Sequence, residues 1–201
     1  MTVVLDDVSK TVNVEPVQPP RARILQTARE MFHQFGIHAV GVEAIATAAQ
    51  TNKMTLYRHF SSKDELIAAT ILELKKENEI AWELLAQAYP HDPRAHLNAW
   101  LEQMYLHVQA TESNRVCSLL HKAIEIPDAQ HPARLAIEEV KREQINRVAE
   151  LCRASRLNDP IGLADQLFIV FEGARVSKHI GTERLESLVP SLIQALVAAH
   201  E

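Results

Sequence analysis

The chain alternates stretches of helical hydrophobic period with short polar breaks, and nowhere shows the two-residue alternation of a strand. Ile24, Leu25, Ala28, Met31, Phe32 and Phe35 recur at the spacing of one buried helix face, and Gly36 is placed to end that helix in a left-handed cap. A short helix follows over 42–49 with Ile45, Ala46 and Ala49 inward, and Gln50-Thr51 form a tight turn. Asn52 is suited to cap a third helix, Lys53 to Phe60, which buries Leu56 and Phe60. Ser62 and Glu65 have the spacing of a capping box, opening a helix that runs to about residue 88, where Tyr89-Pro90 stops it.

Beyond that point the same grammar continues. Asp92-Pro93 starts a helix with the stripe Leu97, Trp100, Leu101, Met104, Tyr105 and Val108. A shorter helix is expected over 115–125, and one from Pro132 to Ser155. Asp159-Pro160 opens another that reaches about 179, and a last helix lies between 183 and 199 with Pro190 blurring its start. The first 20 residues lack any period and end in Pro16, Pro19 and Pro20, the composition of a disordered arm. The expected fold is all-α: an arm (1–20), a three-helix head (21–66), and a helical-bundle body (67–201) joined to the head by the long helix.

Charge changes the picture more than composition does. The whole chain of 201 residues carries a net −5, which argues against a nucleic-acid partner. Residues 21–63, however, hold six bases against two acids, and residues 64–201 hold 14 bases against 21 acids. A basic head on an acidic body reverses the argument for the head alone. The two cysteines, Cys117 and Cys152, have no CxxC pairing, so neither a disulfide framework nor a zinc ribbon is expected. No cofactor motif is present. No signal peptide or membrane-length apolar run is evident, which points to a cytoplasmic protein without a membrane partner.

Residues 41–66, GVEAIATAAQTNKMTLYRHFSSKDEL, set two short helices about a three-residue turn, the geometry that lays a second helix in a DNA major groove. Burying Leu56 and Phe60 turns Lys53, Met54, Tyr57 and Arg58 outward. Lys53 and Arg58 suit phosphates or guanine edges, Met54 a thymine methyl, and Tyr57 a phosphate or base. Lys63 stands in the first turn of the next helix, where backbone N–H groups also favour a phosphate. Arg21 and Arg23, beside the arm, are candidates for the backbone or minor groove.

The segment resembles the tetracycline-repressor (TetR) family. Glu43-Ala44-Ile45-Ala46 matches the family's second helix, and Thr55-Leu56-Tyr57-Arg58-His59-Phe60-Ser61-Ser62-Lys63-Asp64-Glu65-Leu66 its T-L-Y-x-H/Y-F-x-x-K-x-x-L run. The resemblance assigns Thr55, Tyr57, His59 and Lys63 to the DNA surface, with Lys53 and Met54 near base edges. Gln50 stands where the family usually has glycine, Gly41 where it often has Thr or Ser, and Met54 where it often has Gly or Pro.

The resemblance also implies that the body dimerises and binds an effector. Leu163, Leu167, Phe168, Val170 and Phe171 on one helix, with Leu192 and Leu196 on the last, are the expected dimer seam, a four-helix interface across a two-fold axis. Trp82, Trp100, Met104, His107, Cys117, His121 and Phe171 are candidates for an effector pocket, with plain core as the competing role of each. Metal binding by His107, Cys117 and His121, or redox switching at Cys117, are further alternatives, though neither follows from a motif. The implied function is a homodimeric repressor on near-palindromic double-stranded operator DNA, released by a small apolar or aromatic effector. A regulator controlled by a protein partner, or constitutive, is the alternative. A helical enzyme finds no nucleophile elbow, phosphate loop or metal motif to support it.

Overall fold

The computed structural model describes residues 18–110 and 118–201, and every regular element among them is an α-helix. In chain order these are α1 (Pro20–Phe35), α2 (Val42–Ala48), α3 (Lys53–His59), α4 (Lys63–Ala88), α5 (Pro93–Ala110), α6 (Ser118–Glu125), α7 (Pro132–Ala154), α8 (Pro160–His179), α9 (Glu183–Glu186) and α10 (Val189–Ala199). The expected arm falls largely on residues 1–17, outside the described residues, and Pro20 already opens α1. The single helix expected over 183–199 is broken in two, with Pro190 in the first turn of α10.

Side-chain caps fix the starts of several helices. Asn52 accepts the Thr55 N–H at 2.8 Å, Asp92 the Ala95 N–H at 2.9 Å and Asp159 the Gly162 N–H at 3.1 Å. Ser62 accepts the Glu65 N–H at 3.0 Å, but the returning half of the expected capping box lands one residue earlier. The Glu65 carboxylate takes the N–H and hydroxyl of Ser61, at 2.6 and 2.5 Å. Gly41 begins α2 with no side-chain bond to offer.

Two local expectations change. Gly36 has φ 81 but ψ 164, so it leaves α1 extended rather than through a left-handed helical cap. Glycine is still needed, because an added Cβ would come within 3.2 Å of the Glu125 carboxylate. Phe35, placed by period on the buried face of α1, is 54% exposed at the last position of the helix.

The turn between α2 and α3 holds Gln50 at φ 52, the left-handed region where glycine is unstrained. Gln50→Gly should therefore raise unfolding free energy by about 1 kcal/mol. A denaturation midpoint that is unchanged or lower in this variant would show that the strain is relieved another way.

Apolar side chains divide into two cores. The proximal core unites Ile24, Phe32, Ile45, Leu56 and Phe60 of the head with Leu66, Ile67 and Ile71 of α4, Leu119 of α6, Ile126, and Ile137 and Val140 of α7. The distal core gathers Leu85, Leu97, Trp100, Leu101, Val148, Cys152, Leu163, Leu167, Phe171, Ile193 and Val197. The head thus does not close its core alone, since α4, α6 and α7 complete it. A boundary at residue 66 divides the sequence motifs but not the packing. Cys152 is fully enclosed in the distal core, and burial pushes its thiol up to about 11, which keeps it protonated and inert at neutral pH. Among the described residues no helix is long and apolar enough to cross a membrane.

Candidate nucleic-acid interface

The third helix is held by its apolar side. Leu56 and Phe60 are 0% and 1% exposed, so the opposite side must face water. Lys53, Tyr57 and Arg58 are exposed there, and Met54 is 84% exposed. Thr55 is half-buried, its N–H taken by the Asn52 cap. Lys53 Nζ lies 2.9 Å from Glu43 on α2, and that pairing raises the lysine pKa and lowers the glutamate's. In water such an exposed pair contributes little, and a phosphate can replace the carboxylate. His59 is half-buried at the end of α3, with Nε2 enclosed and without a hydrogen-bond partner.

The remaining basic candidates are engaged within the head. Lys63 Nζ donates to the Ile37 carbonyl at 2.6 Å and lies 6.0 Å from the Phe32 ring centroid. Arg21 stands over Phe60, its guanidinium 5.0 Å from the ring centroid, and stays exposed. Arg23 departs furthest from its expected place. Its guanidinium donates to the carbonyls of Gln18 (2.8 Å), Ala49 (3.2 Å) and Gln50 (3.4 Å), so it clamps the α2–α3 turn instead of reaching toward DNA. The Ala49 and Gln50 carbonyls lie at the end of a short helix and in the strained turn after it, where the last carbonyls lack intrahelical partners.

A connection that the sequence did not reveal joins this head to the body. The Glu125 carboxylate, at the end of α6, accepts the N–H groups of Ile37 (2.6 Å) and His38 (3.4 Å). His38 Nε2 in turn lies 2.7 Å from the Glu125 carbonyl. The Ile37 peptide therefore has its N–H on α6 and its C=O on Lys63 of α4. Arg29 of α1 forms a two-pronged pair with Glu77 of α4, its second prong 2.7 Å long, and His131 at the start of α7 lies 3.2 Å from Asp64. Helix-end chemistry flags Glu125 only as an acid at a C-terminus, which by itself is unfavourable. Its partners lie 87 and 88 residues away, beyond the reach of any local pattern.

In the body, the expected dimer seam is only partly on the surface. Leu163, Leu167 and Phe171 are 0–1% exposed within one chain, because they form the distal core itself and cannot also meet a partner. Phe168, Val170 and Leu196 are half-buried, and Leu192 is exposed. The outward apolar face of α8 is instead Ile161, Ile169 and Val176, continued by Ile180 at its C-cap, which helical period places on one side. Leu192 of α10 and Leu188 just before it are exposed as well.

Of the pocket candidates, Trp100 and Phe171 are core residues in edge-on contact, with centroids 5.8 Å apart. Trp82 is half-buried against His96, 5.0 Å between centroids. Met104 accepts from Arg175 at 3.7 Å through its sulfur. His107 is exposed on one side, yet crowding and the Arg175 charge hold its pKa below the usual range. Cys117 and the His121 side chain lie outside the described residues.

Residues 24–70 match the family described as bacterial regulatory proteins, tetR family. The crystal structure of SCO4454, a TetR-family transcriptional regulator from Streptomyces coelicolor, superposes with a TM-score of 0.79 at 25% identity, covering 90% of this chain and 95% of that one. The head thus matches the tetR family, and the described residues share the fold of a solved member of it. The head is 46% identical over 56 residues to the HTH-type transcriptional regulator UidR of Escherichia coli (strain K12), a stretch that is 28% of this chain and only 29% of that relative. The HTH-type transcriptional repressor SCO4008 of Streptomyces coelicolor is 26% identical over 150 residues, 75% of this chain and 73% of the relative. The strong sequence likeness is concentrated in the head, and the body is related chiefly by fold.

Proposed function

We propose that the protein is a transcription regulator that binds double-stranded operator DNA as a homodimer, with α3 in the major groove. One observation supports this most directly: α3 buries Leu56 and Phe60 and leaves Lys53, Met54, Tyr57 and Arg58 together on an exposed face. Two such helices on a two-fold axis enter successive grooves about 34 Å apart, so the operator is a near-palindrome. The apolar faces of α8 and α10 supply the pairing surface. Repression is the sense we propose, in keeping with the name of SCO4008. A small apolar or aromatic effector held in the body releases the DNA by favouring another arrangement of α6 and α4. Glu125 and the Ile37 peptide carry that change to Lys63.

The test begins with DNA fragments recovered on the immobilised protein. Tyr57→Ala and Lys53→Ala should each weaken binding to such a fragment by about tenfold or more, while helicity stays as it was. If Lys53 meets a phosphate, its loss should also lower the salt dependence of log K by about 1. Wild-type affinity and slope in both variants would remove the recognition surface from α3.

A further inference from the structure

We infer that Glu43 selects one base pair of the operator, accepting from a cytosine amino group in the major groove while Lys53 donates to the guanine opposite. This rests on the reading of α3 as the recognition helix and names a base that the neighbouring α2 chooses.

Glu43 is a charge out of place. It is the only acid between residues 41 and 60, a stretch that otherwise carries Lys53, Arg58 and His59. Its side chain is 76% exposed in the first turn of α2, and the ground beside it is open, since a Cβ added to Gly41 would meet nothing within 4 Å. An acid there suits the helix dipole, yet it sets a negative charge on the face that meets an anionic polymer. Lys53 is the first residue of α3, at the end of a recognition helix that meets base edges, and its Nζ lies 2.9 Å from Glu43 Oε1. Helix α2 therefore brings a carboxylate to the place where α3 brings its leading cation. The pairing lowers the pKa of Glu43, so at neutral pH the group is an acceptor alone.

DNA offers a carboxylate little. Phosphates repel it, and the only donors in the major groove are the amino groups of cytosine and adenine. Were Lys53 to leave for a phosphate, Glu43 would stand bare against the same backbone. Kept together, the two side chains match a G·C pair: guanine gives Lys53 two acceptors, O6 and N7, and cytosine gives Glu43 its N4 amino group. Guanine O6 and cytosine N4 are themselves joined by an N–H···O bond of about 2.9 Å, so their spacing equals that of the ion pair. Adenine is the poorer partner. Its amino group stands beside the N7 acceptor, which repels a carboxylate, and thymine leaves Lys53 a single acceptor.

The experiment selects bound fragments from a pool of random double-stranded DNA with the full chain, as wild type, Glu43→Ala and Glu43→Gln. Affinities are then measured on the best wild-type fragment and on copies with one pair changed. In the wild type one C·G pair in each half-site should be required, its replacement weakening binding about tenfold. Glu43→Ala should cut that penalty to about twofold and keep the preferences elsewhere in the half-site. It should also bind unrelated DNA more tightly, because a repelling charge is gone. Glu43→Gln should exchange C for A at the same position, because an amide pairs with adenine N6 and N7. A role confined to the stability of α2 would weaken all fragments alike and move no single preference. Identical sequences from all three proteins, or a change spread evenly over the half-site, overturns the inference and leaves the reading of α3 standing. Failure of that broader reading looks different: the wild type would enrich no sequence, and this inference would fall with it.

Discussion

Replacing Ile169 by glutamate is expected to leave a folded monomer whose affinity for a palindromic operator is lower by about 10²- to 10⁴-fold. The size of the loss is the usual advantage of binding a second half-site from a tethered partner. Ile169 is 72% exposed in the single chain, so a carboxylate there meets water and leaves the chain's own packing alone. In a dimer joined through α8 and α10, the same carboxylate would be buried among Ile161, Val176, Leu188 and Leu192 of the two copies, without a partner. Leu167→Glu makes the contrast. Leu167 is 0% exposed, so its charge would enter the distal core and unfold the chain rather than merely separate two copies. Sedimentation at micromolar concentration with circular dichroism separates the outcomes. A stable Ile169→Glu dimer would remove this face of α8 from the interface.

The same pair of residues shows where sequence periodicity loses its power. Apolar positions surround α8 on nearly all sides, the pattern expected of a helix buried on more than one front. Nothing in that pattern says which side meets the chain's own core. Only the positions of α5, α7 and α10 decide it, and they turn Leu163, Leu167 and Phe171 inward. By contrast, α3 was legible because its instructions are local. Asn52 caps its start, Leu56 and Phe60 fix its buried side, and the outward residues follow without knowledge of any other element. Arg23 and Glu125 were not legible because a long polar side chain reveals its partner only when the chain has folded. Arg23 finds carbonyls up to 27 residues away, and Glu125 finds amides 88 residues away.

Phe60→Ala should destabilise the protein by about 3–5 kcal/mol, and the loss should be felt first in the head and α6. Phe60 is 1% exposed in the proximal core, where the tight turn into α4 leaves little freedom for neighbours to close a cavity. Against total stabilities of roughly 5–15 kcal/mol this is a large fraction, equivalent to a midpoint lower by about 10 °C in a chain of this size. The two cores make the manner of unfolding informative. Trp100 lies in the distal core and Trp82 packs against it, so tryptophan fluorescence reports that end of the molecule, while circular dichroism reports all the helices. In the wild type, α4 and α7 run through both cores and should hold the two transitions together. In Phe60→Ala the dichroism transition should begin before the fluorescence transition, as the proximal core gives way while the distal one persists. Operator affinity should fall with the dichroism signal, because Phe60 and Leu56 together hold α3 to the head. Coincident transitions at an unchanged midpoint would show that Phe60 does not anchor the head.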